Sequence, residues 1–277
     1  IRLARLAGSP DCFYPTMEEH GVIRTDEGQL RRIRIEAEDD CVNRSALEFT
    51  VRGRSESFRA EADTAAVAIY PDRTSLVQVG REARASIPEG ALYEPIFVKP
   101  ERREAPQADS GVVVLSPAYR FLNPDTPLRH PATVTIRTRV PRPLQLQTVL
   151  AVRNRKGRLS SIGGSYANGA VTATTYATGD LAVVADTLPP SIRPLFAEGA
   201  DLSKSESLRF RVADNFSGIA SWTLRIDGEW VPCDRFPMKG TLVHFFGNPA
   251  QRRKHEVQLS VRDGCGNTAH FKGIFYR

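Results

Sequence analysis

The sequence lacks the long apolar runs and helical patterns that define several large classes of protein. No stretch approaches the roughly 18 to 20 apolar residues of a membrane-spanning helix. No long segment repeats its apolar residues with the helical period, and 19 prolines and 20 glycines interrupt the chain. We therefore predict an all-β protein with two or three units. The chain has no secretory leader and begins at Ile1 inside strand-like sequence, as expected for a mature segment or part of a longer protein.

The residue patterns of common catalytic and metal sites are missing as well. The sequence contains no His-x-His, His-x-x-x-Asp, Cys-x-x-Cys or Gly-x-Ser-x-Gly motif. The histidines are isolated singletons, namely His20, His130, His244, His255 and His270. We therefore assign no catalytic residue, no metal-binding residue and no cofactor to this chain.

The acidic turns offer too few carboxylates for a calcium site within any one segment. Asp39-Asp40, Asp214 and Asp263 each supply one or two, whereas calcium takes six to eight oxygen ligands. Capping of the backbone amides of the same turn is the favoured interpretation.

The net charge of +6 comes from arginines that are scattered along strand-like segments. Arg102-Arg103 and Arg252-Arg253-Lys254 are only short basic runs, without interleaved aromatics. Solvated strand faces are a better interpretation than a stripe that binds a polyanion, and no nucleic-acid partner is expected.

The most informative positive feature is a β-hairpin pattern that occurs twice, in residues 33–51 and 257–275. Each copy is a strand with alternating apolar residues, a turn containing Asp and Asn, and a second alternating strand. Asp39 and Asn43 mark the first turn, and Asp263 and Asn267 mark the second. The repeat predicts two half-buried antiparallel hairpins of the same construction.

All four cysteines fall at positions that the repeat relates to one another. The segment around Cys12 has a looser counterpart around Cys233, while Cys41 and Cys265 occupy the same position in the two turns. Of the three possible pairings, the one that respects the repeat joins Cys12 to Cys41 and Cys233 to Cys265. Such bridges would indicate an oxidising compartment. The alternative is four unpaired, partly buried thiols.

The C-terminal segment, residues 188–277, predicts an immunoglobulin-like sandwich. It follows the proline pair Pro189-Pro190, contains the hairpin step Asp227-Gly228, and has a further turn beginning at Asp214. Seven short strands are predicted here: Ser191–Phe196, Ser207–Ala213, Ala220–Asp227, Glu229–Cys233, Leu242–Phe246, Glu256–Arg262 and Ala269–Tyr276.

The other segments are predicted from the same template. Residues 1–53 contain only the second half of an immunoglobulin-like sandwich, so another segment or a separate chain is expected to complete it. Residues 54–73 form a linker or first strand, and residues 74–187 form a middle β-sandwich in which Glu101–Gly111 is a loop. Five strands are predicted in the middle sandwich: Val112–Leu115, Thr133–Arg139, Leu146–Val152, Ala170–Tyr176 and Leu181–Ala185.

Four aromatic residues could form a platform for a glycan: Tyr166, Phe216, Trp222 and Trp230. Trp222 lies in a strand pattern, which favours a place in the core instead.

The order of several motifs resembles a known family. They include Asp39-x-x-x-Asn43, Pro88-x-Gly90-Ala91-Leu92-Tyr93, Gly163-Gly164-x-Tyr166, Thr178-Gly179-Asp180-Leu181, Asp186-Thr187-x-Pro189-Pro190, Asp214-x-x-Ser217-Gly218 and Asp263-x-x-Gly266-Asn267. Over essentially the whole chain, this order resembles the non-catalytic β-sandwich region that follows the catalytic domain of exported Gram-negative murein endopeptidases. These are lysostaphin-type (LytM-like) zinc metallopeptidases of peptidase family twenty-three.

The resemblance implies an accessory role rather than catalysis by this chain. The zinc motifs of that family cannot be placed here, so zinc is implied only for an upstream domain. The first hypothesis is an accessory region that positions or shields that domain in an exported protein acting on peptidoglycan. The second is a periplasmic or surface protein that binds a glycan or scaffolds an envelope assembly.

Overall fold

The computed structural model describes residues 23–54, 66–124, 126–154, 156–247 and 253–277. The chain divides into two compact units, Ile1–Ala66 and Val67–Arg277, which are described separately below. The described residues of both units are built from β-strands, so the all-β prediction is confirmed. In the part of the chain that the structure describes, no helix has the length and apolar character to cross a membrane.

The described part of the first unit is a hairpin of two strands, β1 (Leu30–Glu38) and β2 (Arg44–Arg52). Their antiparallel register places Ile33 opposite Phe49 and Ile35 opposite Leu47. Alternation then gathers these apolar side chains on one face of the hairpin. Leu47 is 60% exposed and Phe49 is 40% exposed, so this apolar face is largely uncovered.

The opposite face of the hairpin carries a ladder of ion pairs. Arg34 lies within 3.4 Å of Glu48 across the strands, and Arg44 donates to Glu38 at 2.6 Å beside the turn. The hairpin therefore has one charged face suited to water and one apolar face suited to packing.

In the second unit, residues 67–186 form a sandwich that we call the middle sandwich. Its strands are β3 (Val67–Ile69), β4 (Ser75–Val79), β5 (Ala83–Ile87), β6 (Ile96–Val98), β7 (Glu101–Arg103), β8 (Val112–Val114), β9 (Ala118–Arg120), β10 (Ala132–Arg137), β11 (Thr148–Arg153), β12 (Leu159–Gly163), β13 (Ser165–Ala167), β14 (Ala170–Thr175) and β15 (Asp180–Asp186). A short 3₁₀ helix, Arg142–Gln147, precedes β11.

Two sheets enclose the core of the middle sandwich. One has the strand order β13-β14-β10-β5-β4, and the other has the order β12-β11-β15-β9-β7, with β8 also paired to β15. Ile87 and Ile136 from the first sheet pack in one cluster with Leu150 and Val183 from the second. Glu101–Arg103, predicted as part of a loop, instead forms β7 because it pairs with β9 along the edge of the second sheet.

The second unit continues with residues 191–276, which form the C-terminal sandwich. Its strands are β16 (Ser191–Pro194), β17 (Ala200–Asp201), β18 (Ser207–Ala213), β19 (Ile219–Ile226), β20 (Glu229–Val231), β21 (Asp234–Phe236), β22 (Thr241–Phe245), β23 (Lys254–Asp263) and β24 (Thr268–Tyr276). The short 3₁₀ helix Pro237–Lys239 precedes β22. The sheets have the orders β16-β18-β22-β21 and β17-β24-β23-β19-β20.

Alternating apolar residues of the two sheets meet in the C-terminal core. Leu208 and Phe210 of β18 face Val257 and Leu259 of β23 in one cluster. The rings of Phe196 and Phe271 contact Phe210 edge-on, with centroids 5.7 and 5.6 Å away. The tandem-sandwich fold follows from these two cores; the finer immunoglobulin-like topology stays a prediction.

The two copies of the repeated hairpin have the same register. Ile35 lies opposite Leu47 in β1 and β2, and Leu259 lies opposite Phe271 in β23 and β24. The repeat is therefore a true structural duplication. The two copies differ in how far their apolar faces are buried. The apolar face of the second copy packs against β18 and β22, whereas Leu47 and Phe49 on that of the first are exposed.

Candidate functional site

The last strand of the middle sandwich is buried on both faces. Every residue of β15 is buried, although the strand belongs to a sheet with only one core-facing side. Val184 and Val149 on the outer side form a second apolar cluster, and Cys265 and Phe216 of the C-terminal sandwich pack into it. The two sandwiches therefore share an apolar contact, which we call the joint.

The turn between β23 and β24 forms one side of the joint. The Oδ1 atom of Asp263 accepts the backbone N–H groups of Cys265 and Asn267 at 2.9 and 2.8 Å, and its Oδ2 accepts the Asn267 amide at 2.7 Å. Asp39 makes the same three bonds to Cys41 and Asn43, at 2.9, 2.9 and 2.8 Å. These bonds hold the pKa of Asp39 below its ordinary value, led by the Asn43 amide.

A second turn, which follows β18, approaches the same place. The Oδ2 atom of Asp214 accepts the N–H groups of Phe216 and Gly218 at 3.0 and 2.7 Å. Next to it, the Ser217 N–H donates to Oδ2 of Asp186 at 3.2 Å. Short polar side chains that bond their own turn give both loops a fixed shape.

Asn267 links the turn to the end of the middle sandwich. Its side-chain amide donates to the backbone carbonyl of Asp186 at 2.9 Å, and its Oδ1 accepts a bond from Gln147. Asn267 is 9% exposed, so these bonds lie largely out of water. They fix β24, near the end of the described chain, to β15 at the junction of the two sandwiches.

Three carboxylates meet at the joint. One oxygen from each of Asp186, Asp214 and Asp263 lies within 4.8 Å of the others, and Asp186 and Asp263 are 0% and 1% exposed. Burial, followed by the charges of Asp214 and Asp263, raises the pKa of Asp186 despite its bond from Ser217. Chemically, such a group can hold a divalent cation or keep a proton.

The hydrogen bonds of the three carboxylates favour a proton over a cation. Most of their oxygens already accept N–H donors, whereas Oδ1 of Asp214 is buried without a hydrogen-bond partner in the described structure. Because the folded-state pKa of Asp186 is raised, its ionised form costs stability at neutral pH. That cost begins to fall as the pH drops through the raised pKa and is gone below the ordinary value of 3.8.

Asp214→Asn is therefore expected to stabilise the protein when a chelator is present. The amide oxygen can keep the bonds to Phe216 and Gly218, while the new NH₂ group donates to a neighbouring carboxylate and removes one charge. We expect a gain of about 1 kcal/mol, which corresponds to roughly 2 to 4 °C in the thermal midpoint.

The control for this prediction is Asp72→Asn, which removes the same charge from a side chain that is 77% exposed. It should leave the midpoint unchanged. A fall in the midpoint of Asp214→Asn, together with a rise of the wild-type midpoint in calcium, would show that the carboxylates hold a cation instead.

The structure corrects the predicted Cys233–Cys265 disulfide, because both thiols are free. Cys233 packs with the C-terminal core, whereas Cys265 points the other way into the apolar cluster of the joint. Burial raises the pKa of each thiol to about 11. Cys41 is exposed, and Cys12 lies outside the described residues, so the Cys12–Cys41 pairing stays a prediction.

The remaining turn residue from the sequence analysis, Asp227, lies elsewhere in the C-terminal sandwich. It accepts a bond from the backbone N–H of Glu256 at 2.8 Å and lies 2.7 Å from the ring of His255. Burial opposes ionisation, but these bonds outweigh it and lower the pKa of Asp227. This pair ties the β19–β20 turn to β23.

The proposed aromatic platform is not assembled, because its four members lie in different environments. Trp222 packs against the C-terminal core and donates its Nε1–H to the carbonyl of Cys233 at 2.8 Å, which matches the core interpretation. Tyr166 packs against the middle core, Phe216 lies in the joint, and Trp230 is 62% exposed.

Sequence reasoning missed Asp186, Gln147 and Ser217 as members of the joint. Asp186 ends the apolar run Leu181–Ala185, and a carboxylate at the end of so apolar a strand is a usable signal for a buried polar contact. Gln147 and Ser217 carry no such signal, because their partners are distant in sequence.

Comparison with known proteins gives one match to a family. A model described as a Zu5-like domain matches residues 70–186, which is less than half of the chain. No curated protein matches the sequence significantly. The matched segment ends at Asp186, one of the two residues of the middle sandwich that bond to the side chain of Asn267.

Proposed function

We propose that this chain is a non-catalytic accessory region of an exported cell-wall metallopeptidase-like protein, in which two fixed sandwiches position a neighbouring module. The single observation that carries the positioning role is the joint. Its apolar cluster and the buried bonds of Asn267 restrain the C-terminal sandwich against β15. The link to a peptidase acting on peptidoglycan, and with it the periplasmic or surface location, rests on the order of sequence motifs described above.

The apolar face of the β1–β2 hairpin supports a partner for the first unit. In the duplicate hairpin, Leu259 and Phe271 pack against β18 of a facing sheet. In the described part of the first unit, the equivalent Ile35 is half-buried and Leu47 is exposed. We propose that a β-sheet from an upstream catalytic domain or a separate chain completes this half-sandwich, because the exposed apolar side chains of Leu47 and Phe49 would be buried by such a sheet.

The natural full-length protein tests this function. Purified murein should release peptides when incubated with it, and Asn267→Ala should reduce that rate several-fold without loss of bound zinc, because a loosened joint misplaces the neighbouring module. In the same protein, the backbone amides of β1 and β2 should exchange more slowly than in residues 1–277 alone.

The outcomes separate the proposals. A full-length protein without zinc or murein hydrolysis would overturn the peptidase role and leave the second candidate, a periplasmic or surface scaffold. Hydrolysis that is unaffected by Asn267→Ala would overturn the positioning role. Equal amide exchange in the two proteins would remove the partner of the hairpin.

A further inference from the structure

A groove of about 1270 Å³ lies where several strands of the middle sandwich end. The ends of β9, β11 and β15 form its floor, and the turn before β12 forms its rim. Asn215 and Phe216 of the C-terminal sandwich line its far side. We call this space the basic groove, because its charged lining residues are Arg120, Arg153, Lys156, Arg158 and Asp180.

The floor of the basic groove is a fixed arrangement of two arginines around one carboxylate. Asp180 is 5% exposed; Arg120 lies 2.7 Å from its Oδ1, and Arg153 donates to its Oδ2. Burial opposes ionisation of Asp180, but the bonds from Arg153 and Arg120 outweigh it and lower the pKa of Asp180. The carboxylate therefore stays ionised at neutral pH and holds both guanidinium groups in place.

The rim presents two further cations, Lys156 and Arg158, on either side of Gly157. The side-chain Oδ1 of Asn154 accepts the N–H groups of Lys156 and Arg158 at 2.9 and 3.0 Å. Gly157 completes the turn with a φ of +81°, which favours glycine. Arg158 is 75% exposed and forms a long ion pair with Asp109, 4.0 Å away. Its guanidinium group is thus accessible to a ligand from solvent.

Charge and lining together define the class of ligand. The lining carries four cations and one carboxylate, while Glu101 and Asp109 pair with Arg120 and Arg158 from beside it. The lining is therefore net positive, and a concave surface of that sign concentrates anions. The hydroxyls of Ser160 and Thr178 line the same space, and Phe216 offers one apolar surface. Binding of single-stranded nucleic acid uses several stacked aromatics, whereas hydroxyl groups beside fixed cations suit the hydroxyls and acidic groups of a sugar chain.

We propose that the basic groove binds an acidic glycan, with Arg153, Lys156 and Arg158 pairing with its anionic groups. The site goes beyond the proposed positioning role and does not depend on an upstream peptidase. Three of its four cations fall in the short basic run 153–158, which sequence reasoning passed over, and the fourth, Arg120, comes from β9.

Calorimetric titration of the whole chain with oligogalacturonate, a carboxylated sugar chain, tests the proposal. We expect binding that weakens at least tenfold between 50 and 300 mM NaCl. The double variant Lys156→Glu and Arg158→Glu should weaken binding at least tenfold, while its thermal midpoint stays near that of the wild type because both side chains are exposed. Heparin oligosaccharides in parallel distinguish sulfate from carboxylate as the preferred anion.

The matched control is Arg193→Glu with Arg211→Glu, which makes the same change in net charge on exposed neighbours in β16 and β18. This variant should bind within about twofold of the wild type. Equal losses of affinity in the two double variants would show that binding depends only on the net charge of the protein, and would overturn the proposal. Absence of binding to both glycans, or equal binding of polyglutamate, would overturn it as well, the latter in favour of an acidic protein.

Discussion

Replacement of Asp263 with alanine is expected to lower the free energy of unfolding of the second unit by about 3 kcal/mol. The carboxylate is 1% exposed and accepts bonds from two backbone N–H groups and the Asn267 amide. Alanine leaves these donors without partners where water has little access. Relief of repulsion with Asp186 offsets only part of that loss. Urea denaturation followed by circular dichroism measures the change.

The duplicated hairpin supplies the control for Asp263→Ala. Asp39→Ala removes the same three bonds from a turn that is exposed, so water can replace them and the loss should be much smaller. Asp263→Asn should also cost much less, since its Oδ1 can still accept the two backbone bonds. Similar losses for Asp263→Ala and Asp39→Ala would contradict the conclusion that burial at the joint makes this turn important.

Replacement of Phe210 with alanine should cost about 4 kcal/mol, the largest effect we expect from a single change. Phe210 is fully buried and lies between the rings of Phe196 and Phe271. Alanine leaves a cavity that the two surrounding sheets cannot close. Denaturant unfolding again measures the loss, and Phe210→Leu, which fills most of the space, should cost less than half as much.

The position of the tryptophans allows the same experiment to test the joint. Trp222 and Trp230 both lie in the C-terminal sandwich, whereas the circular dichroism signal also includes the strands of the middle sandwich. If the joint couples the sandwiches, fluorescence and circular dichroism should give coincident transitions in the wild type and in Phe210→Ala. Separate transitions in the wild type would show that the sandwiches unfold independently.

The sequence was sufficient to predict the elements whose pattern is long and regular. Ser207–Ala213 was predicted with the observed bounds of β18, because apolar and polar residues alternate along it without interruption. The construction of the repeated hairpin, two alternating strands around a turn that Asp and Asn fix, could also be predicted, since these residues fix the turn by bonds within five residues. Local interactions of this kind can be inferred from sequence alone.

Contacts between segments that are distant in sequence could not be predicted from local residue patterns. Strands β7 and β17 have three and two residues and exist only because a neighbouring strand pairs with them. The predicted Cys233–Cys265 disulfide was wrong because the repeat gives the position of a side chain in the hairpin. It does not show which neighbouring surface that side chain packs against. The joint and the basic groove likewise combine residues whose proximity depends on the packed fold.

The burial of β15 on both faces has a consequence for how this pair of sandwiches is inherited. A gene fragment that ends after Asp186 would encode a middle sandwich with Val149 and Val184 open to water, and one that begins at Ser191 would leave Cys265 without its apolar surroundings. Recombination between the codons for Pro189 and Pro190 would thus yield two proteins with exposed apolar surfaces that promote aggregation. We therefore expect residues 67–277 to be inherited as one unit when gene segments recombine. The family model matches only part of that length.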